Sequence, residues 1–187
     1  MSTALNEGAK LTKHISPEWV KEQQPCADGY KWFLANFPEG GEYQAVLDAL
    51  AKKDRAGWAS WLIERAGAMD TVLEVEELAI EGSIFFAGKI VVSGAIKIAK
   101  QLISGEGIEA GEGIKAGWGI KAGEGIKAGS GIKAGRSIEA GADYGIYAGL
   151  RLRISQKKRA VVIAATKPKN LLLGTYQAKE ETGEQHQ

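Results

Sequence analysis

Residues 105–141 read GEGIEA-GEGIKA-GWGIKA-GEGIKA-GSGIKA-GRSIEA-G, six hexads of the form Gly-x-Gly/Ser-Ile-Lys/Glu-Ala closed by Gly141. Ile recurs at positions 108, 114, 120, 126, 132 and 138, and Ala follows two places later each time. Self-similarity at a fixed period is the mark of a repeat architecture. Ile and Ala two apart point to one side of a strand, and the Lys or Glu between them points to the other. The Gly-x-Gly that follows forms a corner, because glycine tolerates sharp changes of backbone direction. Each hexad is therefore one short strand and one corner. Strands this short cannot stand alone, so the hexads wind into a coil whose turns stack by parallel backbone hydrogen bonds, a parallel β-helix or solenoid. An α-helix is excluded: six is not a helical period, and two glycines per hexad cost about 2 kcal/mol per repeat against alanine. A disordered Gly-rich linker is the rival reading, but it gives Ile no reason to keep its phase.

The phase runs upstream into less repetitive sequence. Stepping back by six from Ile108 meets Leu102, Ile96, Ile90, Ile84, Leu78 and Val72. The places two further on hold larger residues there: Ile80, Phe86, Val92 and Ile98. The solenoid is therefore expected over 71–143, starting near Val72, with a wider first half.

The flanks read differently. Residues 1–15 carry no apolar pattern and are expected to form a flexible arm, without the apolar core of a secretory signal. Ser16-Pro17 is a helix start, with a capping Ser and Pro at the first helical position. Tyr30/Phe33/Leu34/Phe37, Tyr43/Val46/Leu47/Leu50 and Trp58/Trp61/Leu62/Arg65 then follow helical spacing. Asp54 is the expected N-cap of the third segment and Gly67 its stop. Residues 16–70 thus form a small helical domain whose aromatic stripe is read as core. Open solenoid ends expose unpaired strand edges, so this domain is expected to dock on the early coils and cap one end, covering outward Phe85, Val91 and Ile103. Beyond Asp143-Tyr144, residues 144–177 read as a β cap: LRLRIS and RAVVIAAT make a hairpin about Gln156–Lys158, with NLLLGTYQ as a third strand. Residues 178–187 are expected to fray. The fold class is mainly β.

With 187 residues, a net charge of +1 and 44% hydrophobic residues, the chain fits one or two globular units. No apolar run is long enough to span a bilayer as a helix. The single cysteine, Cys26, rules out an internal disulfide and fits a reducing cytoplasm.

The segments CADGYKWF, GWASWLIERAG, GIKAGWGIKAG and DYGIYAGLRLRIS together resemble the glycine-rich β-helical proteins encoded by phages and prophages, over roughly residues 26–176. That resemblance implies a small accessory protein in the cytoplasm of a bacterial host, with no catalytic residues to carry over. Such proteins act by binding and blocking a host machine, anti-CRISPR inhibitors being one group.

The residues themselves offer no catalytic constellation. Each hexad matches a loose Gly-x-Gly-x-x-Ala nucleotide fingerprint, but that fingerprint needs one strand–turn–helix context. His14, Cys26 and His186 show no metal-ligand spacing. The left-handed β-helix acyltransferases share the period, yet they want a small residue two places before the aliphatic one and a histidine at a subunit seam. Glu106, Glu112, Trp118, Glu124, Ser130 and Arg136 occupy the first kind of place, and no histidine lies in the coils. The expectation is no enzyme, no cofactor and no metal.

Charge becomes informative once it is folded onto coils. Suppose that three hexads make one triangular turn, the commonest arrangement for such folds; residues 18 apart then stack on one face. One face then collects Lys97, Lys100, Lys115, Trp118, Lys133 and Arg136. A second takes Glu106, Lys121, Glu124 and Glu139, and the third takes Glu109, Glu112 and Lys127. Stacked lysines about 4.8 Å apart cost on the order of 1 kcal/mol per neighbour in water. The first face is therefore the candidate partner-binding surface, for a protein with an acidic patch or for a nucleic acid. The competing reading is a solvated face that keeps the coil soluble, with Trp118 in an intramolecular cation–π stack. By region, 144–187 is the basic end, with 8 basic and 3 acidic residues. Three functions are expected from this: a host-directed inhibitor, monomeric or a small homo-oligomer such as a dimer; a self-assembling structural module; or a nucleic-acid binder on the basic face.

Overall fold

The computed structural model describes residues 13–179. Among the described residues two compact units divide within one helix, between Val46 and Leu47, so the division precedes residue 70 and leaves the last helix with the solenoid. In the first unit, His14–Ile15 pairs antiparallel with Gly41–Glu42. The chain from Lys13 onward is therefore tied down, contrary to a flexible arm reaching residue 15; residues 1–12 lie outside the described residues. Helix α1 (Pro17–Glu22) starts as expected, with the Ser16 hydroxyl accepting the Trp19 N–H at 3.2 Å. Helix α2 (Ala27–Asn36) buries Phe33 but leaves Leu34 exposed. Helix α3 (Tyr43–Lys52) buries Tyr43, Val46, Leu47 and Leu50, the expected stripe.

The second unit is a parallel β-solenoid flanked by helix α4 (Ala56–Ala66). Three faces follow in rotation. Face 1 stacks Val72–Val75, Lys89–Val92, Ile108–Ala110, Ile126–Ala128, Ile146–Ala148 and Leu171–Leu173. Face 2 stacks Leu78–Ile80, Ile96–Ile98, Ile114–Ala116, Ile132–Ala134, Val161–Ala164 and Thr175–Ala178. Face 3 holds Ile84–Phe86, Leu102–Ser104, Ile120–Ala122 and Ile138–Glu139. Pairing is parallel and 18 residues apart through the regular hexads, as in Ile114↔Ile132 and Ile120↔Ile138. Three hexads make one turn.

The core follows from this register. Ile108, Ile114, Ile120, Ile126, Ile132 and Ile138 are each at most 2% exposed, and the partner Ala residues on faces 1 and 2 line the same interior. Burying one such Ile contributes about 1.5–3 kcal/mol. Ser104 is the buried polar exception, and its hydroxyl donates to the Gly88 and Gly107 carbonyls.

Two expectations change at the ends. In the first turn Leu73, not Val72, pairs with Ile90 and faces inward, while Val72 is 54% exposed. The spacing there contracts to five residues, which a strict step of six cannot see. At the other end no hairpin forms. Val161–Ala164 pairs parallel with Ile132–Ala134, and Thr175–Ala178 pairs parallel with Val161–Ala164. Residues 154–159 are a short 3-10 helix instead of a turn between strands. RAVVIAAT and NLLLGTYQ are further coils, because Val162 and Ala164 extend the inward column of face 2 and Leu171 and Tyr176 pack against the same core; LRLRIS forms no strand, and its Ile154 is 95% exposed.

Helix α4 shows why the early coils carry outward apolar residues. Phe85 and Ile103 point outward on face 3 and are nevertheless buried, at 1% and 2% exposure. The segment carrying α4 is pinned there by ion pairs from Asp54 to Lys100 and from Glu64 to Lys121, and α4 buries Ala59, Leu62 and Ala66 on one stripe. The helix covers the flank of the early turns. It does not close the end, where Ile80 stays 42% exposed. Val91, on face 1, is half-buried.

Asp54 does not cap α4. Arg55 holds that place with no side-chain cap, and Asp54 sits at φ 54°. Its carboxylate accepts from Ser83 Oγ at 2.9 Å and pairs with Lys100. Gly67 ends the helix as expected, at φ 76° with its N–H on the Ile63 carbonyl. No helix of the described residues is long and apolar enough to cross a membrane.

Candidate functional site

The six residues singled out from the sequence fall into two adjacent columns. Lys97, Lys115 and Lys133 are the outward middle residues of three successive face 2 strands and pair directly with one another. All three are exposed, and among the described residues none forms a salt bridge. Ala79 lies below them in the column and Ile163 above. Three like charges thus stand one strand spacing apart, with an apolar residue at either end. Each neighbouring pair costs about 1 kcal/mol in water at this separation, less as the stems splay and salt screens them.

Lys100, Trp118 and Arg136 form the second column, on the corner between faces 2 and 3. The ladder fixes them: Trp118 N–H donates to the Lys100 carbonyl at 2.9 Å, and Arg136 N–H donates to the Trp118 carbonyl. Trp118 is half-buried between two cations, with Lys100 Nζ 5.6 Å and Arg136 Cζ 5.5 Å from the ring centroid. The cation–π stack is therefore present, worth about 0.5–1 kcal/mol per contact at an exposed site. Lys100 is committed a second time, to Asp54. The Lys100 ammonium, with help from Ser83 Oγ, holds the Asp54 carboxyl below its ordinary range. Of the six residues, Lys97, Lys115, Lys133 and Arg136 are exposed; Lys100 and Trp118 are built into the protein.

The lysines of the other faces are paired. On face 1, Glu109 bridges Lys89 at 2.9 Å and Lys127 at 3.1 Å, and hydrogen bonding to Lys89 leads in lowering its pKa. On face 3, Lys121 pairs with Glu64 at 3.0 Å. At the corner between faces 3 and 1, burial followed by repulsion from Glu124 and Asp70 raises Glu106. Tyr144 donates its hydroxyl to Glu124 at 3.2 Å. The cross-section is thus polarised, basic along face 2 and acidic at the opposite corner.

The remaining candidates are dispersed. Cys26 is exposed and caps α2, its Sγ accepting the Gly29 N–H at 3.4 Å. His14 lies in the first short strand, and His186 lies outside the described residues. Among those residues no three His, Cys, Asp or Glu side chains gather as metal donors. Sequence reasoning missed the Asp54–Lys100 and Glu64–Lys121 pairs. No periodic signal links a helix to a face, although outward Phe85 and Ile103 mark where a helix must lie.

No curated protein and no solved structure matches the chain. One family model does match part of it, over all four helices and ending before the first solenoid strand. Residues 9–68 are similar to the family described as the YdhT N-terminal domain.

Proposed function

We propose that the chain is a non-enzymatic binding protein that engages an acidic surface of a partner protein through face 2 of its solenoid. One observation carries this reading: Lys97, Lys115 and Lys133 stack in register without a counter-charge, while Glu109 and Glu64 neutralise lysines on the other two faces. A rigid ladder holds the three ammonium groups on a flat strand surface, so an acidic partner meets a prearranged site and relieves the repulsion between them. Arg136 extends the surface at the neighbouring corner, where it rests on Trp118.

In the setting that the resemblance to phage and prophage β-helical proteins implies, the partner is a bacterial host component, cytoplasmic and part of a defence system, and binding blocks it. The test is a comparative capture from bacterial lysate with wild type and with Lys97→Glu/Lys115→Glu/Lys133→Glu. The reading expects a partner that wild type retains, that the triple variant loses, and that moderate salt elutes. The same partner retained equally by both proteins refutes it. Nucleic acid is the second reading, favoured by the same unpaired column. Binding to mixed-sequence DNA that falls steeply with salt would select it.

A further inference from the structure

The two ends of the coil are chemically opposite. The first turn, residues 67–88, holds Asp70, Glu74, Glu76, Glu77 and Glu81 and no Lys or Arg. All five are exposed, and among the described residues none forms a salt bridge. The last coils, residues 150–179, hold eight Lys and Arg and no Asp or Glu, with Lys158, Lys167 and Lys169 among the exposed ones. Glu180, Glu181 and Glu184 follow outside the described residues.

Both ends also leave the core and the ladder open. Val72–Val75 and Leu78–Ile80 end their columns at one side, Leu171–Leu173 and Thr175–Ala178 at the other. Leu73, Val75, Ile84 and Phe86 at the first edge, and Leu171 and Tyr176 at the last, are only partly buried against the core. Ile80 and Leu173 are each 42% exposed, whereas Ile98, one turn above Ile80, is 3% exposed. Because every solenoid pairing is parallel, the last strands of one copy run in the same sense as the first strands of the next. Faces 1 and 2 can therefore continue across a joint without any change of strand direction.

We propose that this chain stacks head to tail, the acidic first turn of one copy seated on the basic last coils of another. The charges choose the polarity. Head-to-head contact would bring ten carboxylates together, and tail-to-tail contact would bring sixteen cations together. A head-to-tail contact is heterologous and does not close on itself, so the product is an open row of copies. The lysine column of face 2 remains exposed along that row, so this assembly neither requires nor excludes the binding reading above.

Sedimentation velocity of the full chain across a concentration series, at about 50 and 500 mM salt, tests the proposal. Wild type is expected to grow with concentration at low salt, without a limiting size, and to shrink towards monomer at high salt. Glu74→Lys/Glu77→Lys/Glu81→Lys and Lys158→Glu/Lys167→Glu/Lys169→Glu should each remain monomeric alone. Mixed one to one, they should associate again, because the intact basic end of one meets the intact acidic end of the other and the two reversed ends, Lys on one and Glu on the other, are complementary in their turn. Wild type that stays monomeric throughout the low-salt series overturns the proposal, whatever the variants do. So do growth that neither substitution set alters and a mixture that stays monomeric.

Discussion

Replacing Gly117 by Ala tests how tightly the turns are stacked. Gly117 opens a hexad, and a Cβ there would land on the Ala99 carbonyl oxygen of the preceding turn. That carbonyl cannot swing aside freely, because Gly117 N–H donates to the Ile98 carbonyl at 3.0 Å and Trp118 N–H to the Lys100 carbonyl at 2.9 Å. The backbone of Gly117 is outside the left-handed region, so Ala meets no dihedral penalty there. It would even gain about 0.4–1 kcal/mol from a stiffer unfolded chain. Against that gain stand about 1–3 kcal/mol for a forced backbone shift and about 1 kcal/mol for a strained hydrogen bond. The net expectation is a loss of about 2–3 kcal/mol. Gly125 is the control: its Cβ would lie 3.3 Å from the Gly145 carbonyl, a contact that a small adjustment relieves, so Ala there should stay within about 1 kcal/mol of wild type. For a chain of this size 1 kcal/mol moves Tm by about 2–4 °C. Thermal melts followed by circular dichroism should show Gly117→Ala lowered by about 4–12 °C and Gly125→Ala by less than about 4 °C. Equal shifts, or a neutral Gly117→Ala, would refute the stacking geometry.

Other consequences follow from the same geometry. Ile120→Ala, in the middle of face 3 at 1% exposure, should cost about 2–5 kcal/mol, whereas Lys121→Ala beside it should cost under about 1 kcal/mol; chemical denaturation separates them. The depressed pKa of Asp54 stabilises the docking of α4 at all pH values above the ordinary carboxylate pKa of about 4. That contribution is lost as pH falls through the lower folded value. Trp58 and Trp61 emission should therefore show an acid transition that Asp54→Asn abolishes, and identical acid curves would contradict the clamp. If DNA rather than a protein occupies face 2, three phosphate contacts predict a salt slope near −2.7, about a 40-fold loss from 50 to 200 mM salt. In that case Lys115→Ala should reduce the slope by about one, and binding indifferent to salt would rule DNA out.

The coil was legible because its determinants are local and periodic. Ile at every sixth place fixes which side of each strand is inside, and the 18-residue pairing then follows from three strands per turn. The column of Lys97, Lys115 and Lys133 followed only on the supposition of three hexads to a turn, which a period of six does not itself fix and which the 18-residue register supplies. Where the period fails, the reading fails with it. The first turn contracts so that Leu73 replaces Val72 inside. The last coils insert residues between strands, and alternation alone could not tell a hairpin from further parallel turns. Asp54 looked like a helix cap because the residue type and place were right, yet Lys100 and Ser83, far away in sequence, claim its carboxylate. Long-range pairs between a helix and a coil leave no periodic trace. The open, oppositely charged ends were visible as composition only, and they became surfaces once the direction of stacking was known.

The winding of three hexads per turn is the feature on which the faces, the lysine column and the joined ends all depend. Disulfide trapping measures it directly, in a Cys26→Ser background that removes the single native thiol. Cysteines at 115 and 133 sit on paired residues, about 4.8 Å apart and within bridging range. They should cross-link on mild oxidation, whereas cysteines at 115 and 127, on different faces, should not. A bridge between 115 and 127, or none between 115 and 133 in folded protein, would contradict the three-sided coil.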